Sequence, residues 1–245
     1  MRRGLMMTSN ADGWARPELI CETDWLAEHI DDDDVVVLDC DLLDAYLRLH
    51  IPGAVWSLSR YWKTDPRDDS QIYGMSDPAQ WAQLVGRLGI TPDTTVVGYD
   101  GSGSLYAART WWTFDRFGHS NFKILHGGLD KWYAEGRPLS RQNLRPRAVE
   151  YPVPSAPHDD SICRLDDIPG AIENDNHVFW DVRSDGEWTG ANKRGTQRGG
   201  RIPGAVHLEW LETLEEPVRT LKPAAELRQM LADLGITPET TVTTY

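Results

Sequence analysis

Leu88-Gly-Ile-Thr-Pro-Asp-Thr-Thr-Val96 and Leu234-Gly-Ile-Thr-Pro-Glu-Thr-Thr-Val242 are one phrase written twice, 146 residues apart (88 to 234), with a single Asp-to-Glu change. Working outward, His50-Ile-Pro-Gly-Ala-Val55 returns as Arg201-Ile-Pro-Gly-Ala-Val206, 151 residues on (50 to 201). Cys21, Asp24, Ile30 and Asp39 match Cys163, Asp166, Ile172 and Asp181, each 142 residues on (21 to 163). The blocks are long and colinear, so chance is a poor explanation. Solenoid repeats have periods of roughly 20–50 residues; a period this long means two copies of a whole domain. The seam lies where Pro138, Pro146, Pro152, Pro154 and Pro157 fall among few large apolar residues. The expected organisation is a first domain over 17–138, an extended Pro-rich linker over 139–160 and a second domain over 161–245.

Each copy alternates helix and strand signals. Asp77-Pro78 pairs an N-cap with proline at the first helical position. Trp81, Leu84, Val85 and Leu88 follow at helical spacing, and Gly89 can close the helix in the left-handed conformation. Pro223, Leu227, Met230, Leu231, Leu234 and Gly235 repeat the plan. β-branched runs come next, at Thr94–Val97 and Thr240–Thr244. Earlier apolar runs, Val35–Leu38 and His177–Trp180, end in Asp39 and Asp181. This pattern predicts an α/β fold with a mostly parallel sheet flanked by helices in each copy. Ligands of such sheets sit at the carboxyl ends of the strands. The residues after Asp39 or Asp181, and after Tyr99 or Tyr245, therefore matter most.

Composition narrows the function. The chain has 245 residues with 25 Lys+Arg against 38 Asp+Glu, a net charge of −13. So acidic a chain is a poor general binder of nucleic acid or anionic membrane. At 40% hydrophobic and 26% charged it has a globular composition. Its longest aliphatic run, Val35–Leu38, is far short of the ~20 residues that span a bilayer. Cys21, Cys40 and Cys163 are odd in number and form no C-x-x-C pair, which argues against a disulfide scaffold or a zinc site and fits a reducing cytoplasm. The seven His residues show no metal-ligand spacing. Leu5-Met6-Met7 is too short for a signal-peptide core, so residues 1–16 read as a loose tail, with translation starting at Met1, Met6 or Met7.

After the last strand of the first copy comes Gly98-Tyr99-Asp100-Gly-Ser-Gly-Ser-Leu-Tyr106-Ala-Ala-Arg109, running into a helical stretch with Trp111, Trp112 and Phe114. A small-residue loop at a helix N-terminus converges backbone N–H groups on one spot, a cradle for an anion or a thiolate. The same pattern is also simply how α/β proteins turn.

Together these features resemble the two-domain rhodaneses, the thiosulfate and 3-mercaptopyruvate sulfurtransferases. The resemblance is carried by Asp181-Val-Arg183, Gly200-Arg-Ile-Pro-Gly-Ala205, Tyr99-Asp100-Gly, Tyr106-Ala-Ala-Arg109-Thr-Trp-Trp112 and His126-Gly-Gly-Leu-Asp-Lys-Trp132, and it covers roughly residues 17–245. It implies two tandem rhodanese-like domains, of which only the second holds the nucleophile, a cysteine opening a short loop after the strand. The first domain of such proteins is inactive, often with Asp at that position, as Asp100 is here. The matching position in the second copy directly follows Tyr245. The expectation is therefore a second domain incomplete at its C-terminus, lacking the cysteine, with about 40 further residues to follow by analogy with 100–138.

The resemblance implies transfer of sulfane sulfur from a small anionic donor, thiosulfate or 3-mercaptopyruvate, to cyanide or a thiol through a cysteine persulfide, with no metal or organic cofactor. Arg183 is the candidate substrate-binding cation. Its first-copy equivalent is Asp41, so the copies differ in charge at that position. Arginine suits bidentate contact with a sulfonate or carboxylate, although Arg183 also reads as a surface arginine paired with a nearby carboxylate. Asp39 and Asp181 read as structural, accepting N–H bonds from the next turn. A nine-residue insertion within Thr189–Gly200 carries Lys193, Arg194 and Arg198, either a solvated loop or a steering patch. Trp81, Trp111 and Trp112 read as core. Cys21 and Cys163 read as packed residues ahead of the first strand of each copy, and Cys40 as a poor thiolate beside Asp41. Two other readings stay open: a catalytically inactive binding or regulatory module, and a defunct or split gene product.

Overall fold

The structure, a computed structural model, describes residues 13–57, 77–158 and 160–245. Most of the expected N-terminal tail lies outside them. The chain divides into two compact units, one of Arg16–Asp159 with Glu216–Thr220 and one built from Asp160–Glu215 and Leu221–Tyr245.

In the first unit, β1 (Ile20–Cys21), α1 (Thr23–His29), β2 (Val35–Asp39), α2 (Leu43–Arg48), β3 (Val55–Trp56), α3 (Pro78–Arg87), β4 (Thr95–Tyr99), α4 (Leu105–Arg116), β5 (Phe122–Leu125) and α5 (Gly128–Ala134) follow in order. The five strands form one parallel sheet in the order β1-β5-β4-β2-β3. Strand side chains alternate in direction, so both faces need cover. Leu38 and Val96 point into a cluster with Trp81, Val85, Phe114 and Phe122. Their neighbours Val37 and Val97 point the other way, to Cys21, Leu26, Leu125 and Trp132. This two-sided burial is why the strands read as continuous apolar runs.

The sequence signals for α3 hold. The Asp77 carboxylate accepts from the N–H groups of Ala79 (2.8 Å) and Gln80 (3.2 Å), and Gly89 ends the helix at φ +78°. Cys21 lies within an edge strand, β1, not ahead of the first strand as the sequence suggested. Two residues are too few to show a strand pattern. Trp81 is fully buried, whereas Trp111 and Trp112 are only half-buried, the latter with the Arg116 guanidinium 5.5 Å over its ring.

Residues 141–158 carry no helix or strand, yet they are strapped to this unit. Ser140 bridges His50, the Val149 N–H donates to Gly86 O (2.9 Å), and the His158 N–H donates to Arg116 O (2.6 Å). Tyr151 packs edge-on against Trp81 at 5.0 Å.

The second unit holds α6 (Ile168–Ile172), β6 (His177–Asp181), α7 (Asp185–Trp188), β7 (Val206–His207), β8 (Leu214–Glu215), α8 (Ala224–Asp233) and β10 (Thr241–Thr244), with β9 (Thr220–Leu221) falling on the boundary at Leu221. Its parallel sheet runs β10-β6-β7, matching β4-β2-β3. Phe179 and Ala224 are its buried apolar residues among those described, while Leu227, Met230 and Leu231 on α8, and Leu234 just after it, are half-buried.

Trp81 joins α3, α4 and the strap, stacking on Phe117 (4.8 Å) and meeting Phe114 edge-on (5.5 Å). Trp81→Ala should destabilise the first unit by about 3–5 kcal/mol, read as a lower urea midpoint. An unchanged midpoint would show that α3 and the strap are not coupled through this ring.

Candidate functional site

The carboxyl ends of the central strands repeat one construction in both units. In the first, Asp39 closes β2 beside Tyr99, which closes β4. The Tyr99 hydroxyl donates to Asp39 Oδ2 (2.7 Å) and accepts from the Ile51 N–H (3.0 Å). The Asp41 N–H donates to Asp39 Oδ1 (3.0 Å). In the second, the Tyr245 hydroxyl accepts from the Ile202 N–H (3.0 Å) and helps to lower the Asp181 carboxyl, and the Arg183 N–H donates to Asp181 Oδ1 (3.0 Å). The repeated Ile-Pro-Gly-Ala-Val block thus supplies an N–H to the tyrosine. Asp39 and Asp181 do take the next turn's N–H groups; the tyrosine link was not evident from sequence, although each tyrosine ends a strand at a matching place.

What differs is the residue two positions on. Asp39 is 1% exposed. Burial pushes its carboxyl up to about 7, against the Tyr99 and Asp41 N–H bonds and with help from the Asp41 and Asp100 charges. Asp181 is fully buried. Burial pushes it up too, but Arg183 outweighs that, and the net shift is downward. Arg183 Nε donates to Asp181 Oδ1 (2.8 Å), and Nη2 donates to Asp181 Oδ2 (2.5 Å) and Gly200 O (2.9 Å). The guanidinium lies 5.0 Å over the Tyr245 ring, and the side chain as a whole is 30% exposed. Arg183 is therefore paired with a carboxylate and still partly open to solvent, with Nη1 free of hydrogen-bond partners among the described residues.

The loop after β4 is a cradle, and it is filled. Asp100 Oδ1 accepts from the N–H groups of Ser102 (2.8 Å) and Ser104 (2.9 Å), and Oδ2 from those of Tyr106 and Ala107 (both 2.8 Å). Asp100 is 1% exposed, and burial raises its carboxyl despite these four bonds. Gly128, at φ +51°, packs on this residue; a Cβ there would stand 2.2 Å from Asp100 O. The Asp41 carboxylate accepts from the Gly101 N–H (3.1 Å). A small anion approaching this end meets the Asp41 and Asp100 carboxylates, which already hold five of the loop and helix amides.

The insertion after α7 is exposed. Arg194 pairs with Glu187 (3.0 Å), which reduces the cluster's free charge, while Lys193 and Arg198 stay in solvent. Cys40 is fully buried, and burial is the main reason its thiol is pushed up to about 12, with Asp100 and Asp39 adding to it. The carboxylates alone were the expected cause; they are the lesser one. Burial likewise pushes Cys21 up to about 12, while Cys163 is half-exposed.

Residues 22–135 match the model of the rhodanese-like domain. The chain is 35% identical over 248 aligned residues to the sulfur carrier protein TtuD of Thermus thermophilus, covering 95% of this chain and 84% of that one. It is 32% identical to a thiosulfate sulfurtransferase of Azotobacter vinelandii, covering 96% and 84%. Among solved structures it superposes on SseA of Escherichia coli, described as a 3-mercaptopyruvate sulfotransferase, with a TM-score of 0.78 at 26% identity over 92% of this chain and 87% of that one.

Two outcomes are expected. Iodoacetamide at pH 8 should alkylate Cys163 and spare Cys21 and Cys40 in the folded protein, since the thiolate is the nucleophile; peptide mapping that finds Cys40 labelled would refute the buried-thiol assignment. The raised Asp39 carboxyl means the folded state holds a proton that the unfolded state has released between the ordinary value of 3.8 and about 7. That contribution is complete below the lower value and is lost as pH rises through the upper one. Asp39→Asn should flatten stability against pH in this window by up to about 1.4 kcal/mol per pH unit. Parallel curves for the two proteins would contradict it.

Proposed function

The chain belongs to the rhodanese family, and from that premise we propose that it takes sulfane sulfur from a small anionic donor, thiosulfate or 3-mercaptopyruvate, and passes it to cyanide or a thiol. The observation that carries this reading is the charge inversion on a shared framework. Two strand ends built from the same Asp, Tyr and Ile-Pro-Gly-Ala parts differ in carrying Asp41 in one unit and Arg183 in the other. Only the Arg183 end favours an anion.

The chemistry is placed on a cysteine at the position following Tyr245, the place that Asp100 holds after Tyr99. Its thiolate attacks the outer sulfur of thiosulfate; a new S–S bond forms, and the donor S–S bond breaks with its electron pair leaving on sulfite. Cyanide or a second thiolate then attacks the terminal sulfur and releases the enzyme thiolate. The first unit suggests how such a group is held: loop amides converge on one anionic side chain at the N-terminus of a 12-residue helix. Arg183 would balance the donor's charge, its planar fork suiting a sulfonate or carboxylate. The first unit then serves as a closed partner with its cradle occupied. Three free cysteines fit a reducing compartment such as the cytoplasm. Among the described residues no helix is long and apolar enough to cross a membrane.

The donor site is tested by calorimetric titration with thiosulfate. Arg183→Met should weaken binding roughly 10- to 100-fold, the loss of charge-assisted hydrogen bonds. Arg183→Lys, which keeps a charge facing Asp181, should weaken it less. Unchanged affinity in both variants would remove Arg183 from the site. The cysteine step is tested on the gene product that includes the segment after Tyr245: thiosulfate should add the mass of one sulfur atom there and not to Cys21 or Cys40.

A further inference from the structure

We propose that His207 is a positioning residue for Arg183, holding the arginine's own peptide group so that its guanidinium faces the donor. The inference rests on the reading of Arg183 as the donor's cation, and it comes from comparing the two units atom by atom. Trp56 closes β3, and its indole Nε1 donates to Asp41 O (2.9 Å). His207 closes β7 at the matching register and lies 2.8 Å by Nε2 from Arg183 O. A carbonyl only accepts, so His207 carries a proton on Nε2 and donates it. Both units thus use a ring N–H from the edge strand to pin the peptide group two residues past the buried aspartate. In the first unit the pinned residue is the acidic Asp41, in the second Arg183.

The imidazole is itself fixed on several sides. It stacks on Trp188 at 4.8 Å with an interplanar angle of 6°. The Arg201 guanidinium also lies over the Trp188 ring, 4.0 Å from its centroid. The His207 Nδ1 lies 3.6 Å from Asp185 Oδ1 at the start of α7. A ring held this way cannot turn without giving up the stack or the carbonyl bond. The arrangement constrains the Arg183 backbone independently of the bonds from its side chain to Asp181. The first unit supports the idea that the N–H, not the imidazole as such, is what the position requires, since an indole does the same there.

The test is a thermodynamic cycle read by thiosulfate titration. His207→Phe and His207→Leu, which both lose the N–H, should weaken binding roughly threefold to tenfold. His207→Trp, which copies the first unit, should restore it. In the Arg183→Met background the same changes should have no further effect, because the cation they position is gone. A role in stability alone would lower the melting temperature of the Phe and Leu variants without this dependence on Arg183. If Arg183→Met leaves thiosulfate affinity unchanged, the donor-site reading fails and this inference with it. If Arg183→Met weakens binding but both N–H-lacking variants bind as tightly as the parent, or weaken it equally with and without Arg183, the positioning role is overturned while the donor site stands. If His207→Phe does not fold, His207→Leu and the His207→Trp rescue decide between the same outcomes.

Discussion

A carboxylate sealed at the end of a central strand has to be given donors, and the rest of each unit's functional end follows from how that is done. Asp39 and Asp181 are both buried within their sheets; each has a tyrosine at the end of the neighbouring strand, which donates to Asp39 and helps to lower the Asp181 carboxyl, and each takes a backbone N–H from the turn that follows. The tyrosine in turn receives an N–H from the Ile-Pro-Gly-Ala segment. This ties three chain segments together at the place where a ligand would enter. Leaving any of these buried polar groups unpaired costs roughly 1–3 kcal/mol, which explains why such a frame recurs when the surroundings change.

On that frame one residue sets the electrostatics. In the first unit burial drives the Asp39 carboxyl toward its neutral form, the Asp41 charge two positions on adds to that, and the end of the sheet is acidic. With Arg183 there, Asp181 is held ionised and the guanidinium is drawn into a defined place over Tyr245. The first unit goes further and fills its own cradle with Asp100, whose four amide bonds satisfy the helix N-terminus from within. A loop that must hold an anion to be stable can take it from solvent, from a substrate or from its own side chain. This unit does the last.

Much of the fold is legible in the sequence because its strands and helices carry strong local signals. The β-branched runs, the Asp77-Pro78 cap and the glycine stops give α3, β2, β4, β6, α8 and β10 within a residue or two, and the internal repeat gives the two-unit plan. The two-residue strands β1, β3 and β7 leave no such signal, since pairing, not local preference, makes them strands. Of the site, Asp39 and Asp181 as acceptors for the next turn's N–H groups are legible in the repeat, whereas Asp100 and Arg183 are singled out by the family resemblance. The strap over 141–158 could not, because its attachments run through backbone groups and a single ring, Tyr151. Nor could the Trp56 and His207 contacts, because two chemically different rings share one role and alignment of the copies by residue type hides it.

On the proposed function, charge at position 41 or 183, on an otherwise common frame, decides which strand end meets an anionic sulfur donor. The most direct measurement is a titration of the isotopically labelled chain with thiosulfate, followed by amide resonances. Saturable shifts are expected at Val182, Arg183, Gly200 and Tyr245, and none at Gly101 to Ala107. Shifts at the Asp100 cradle, or at neither end, would contradict it.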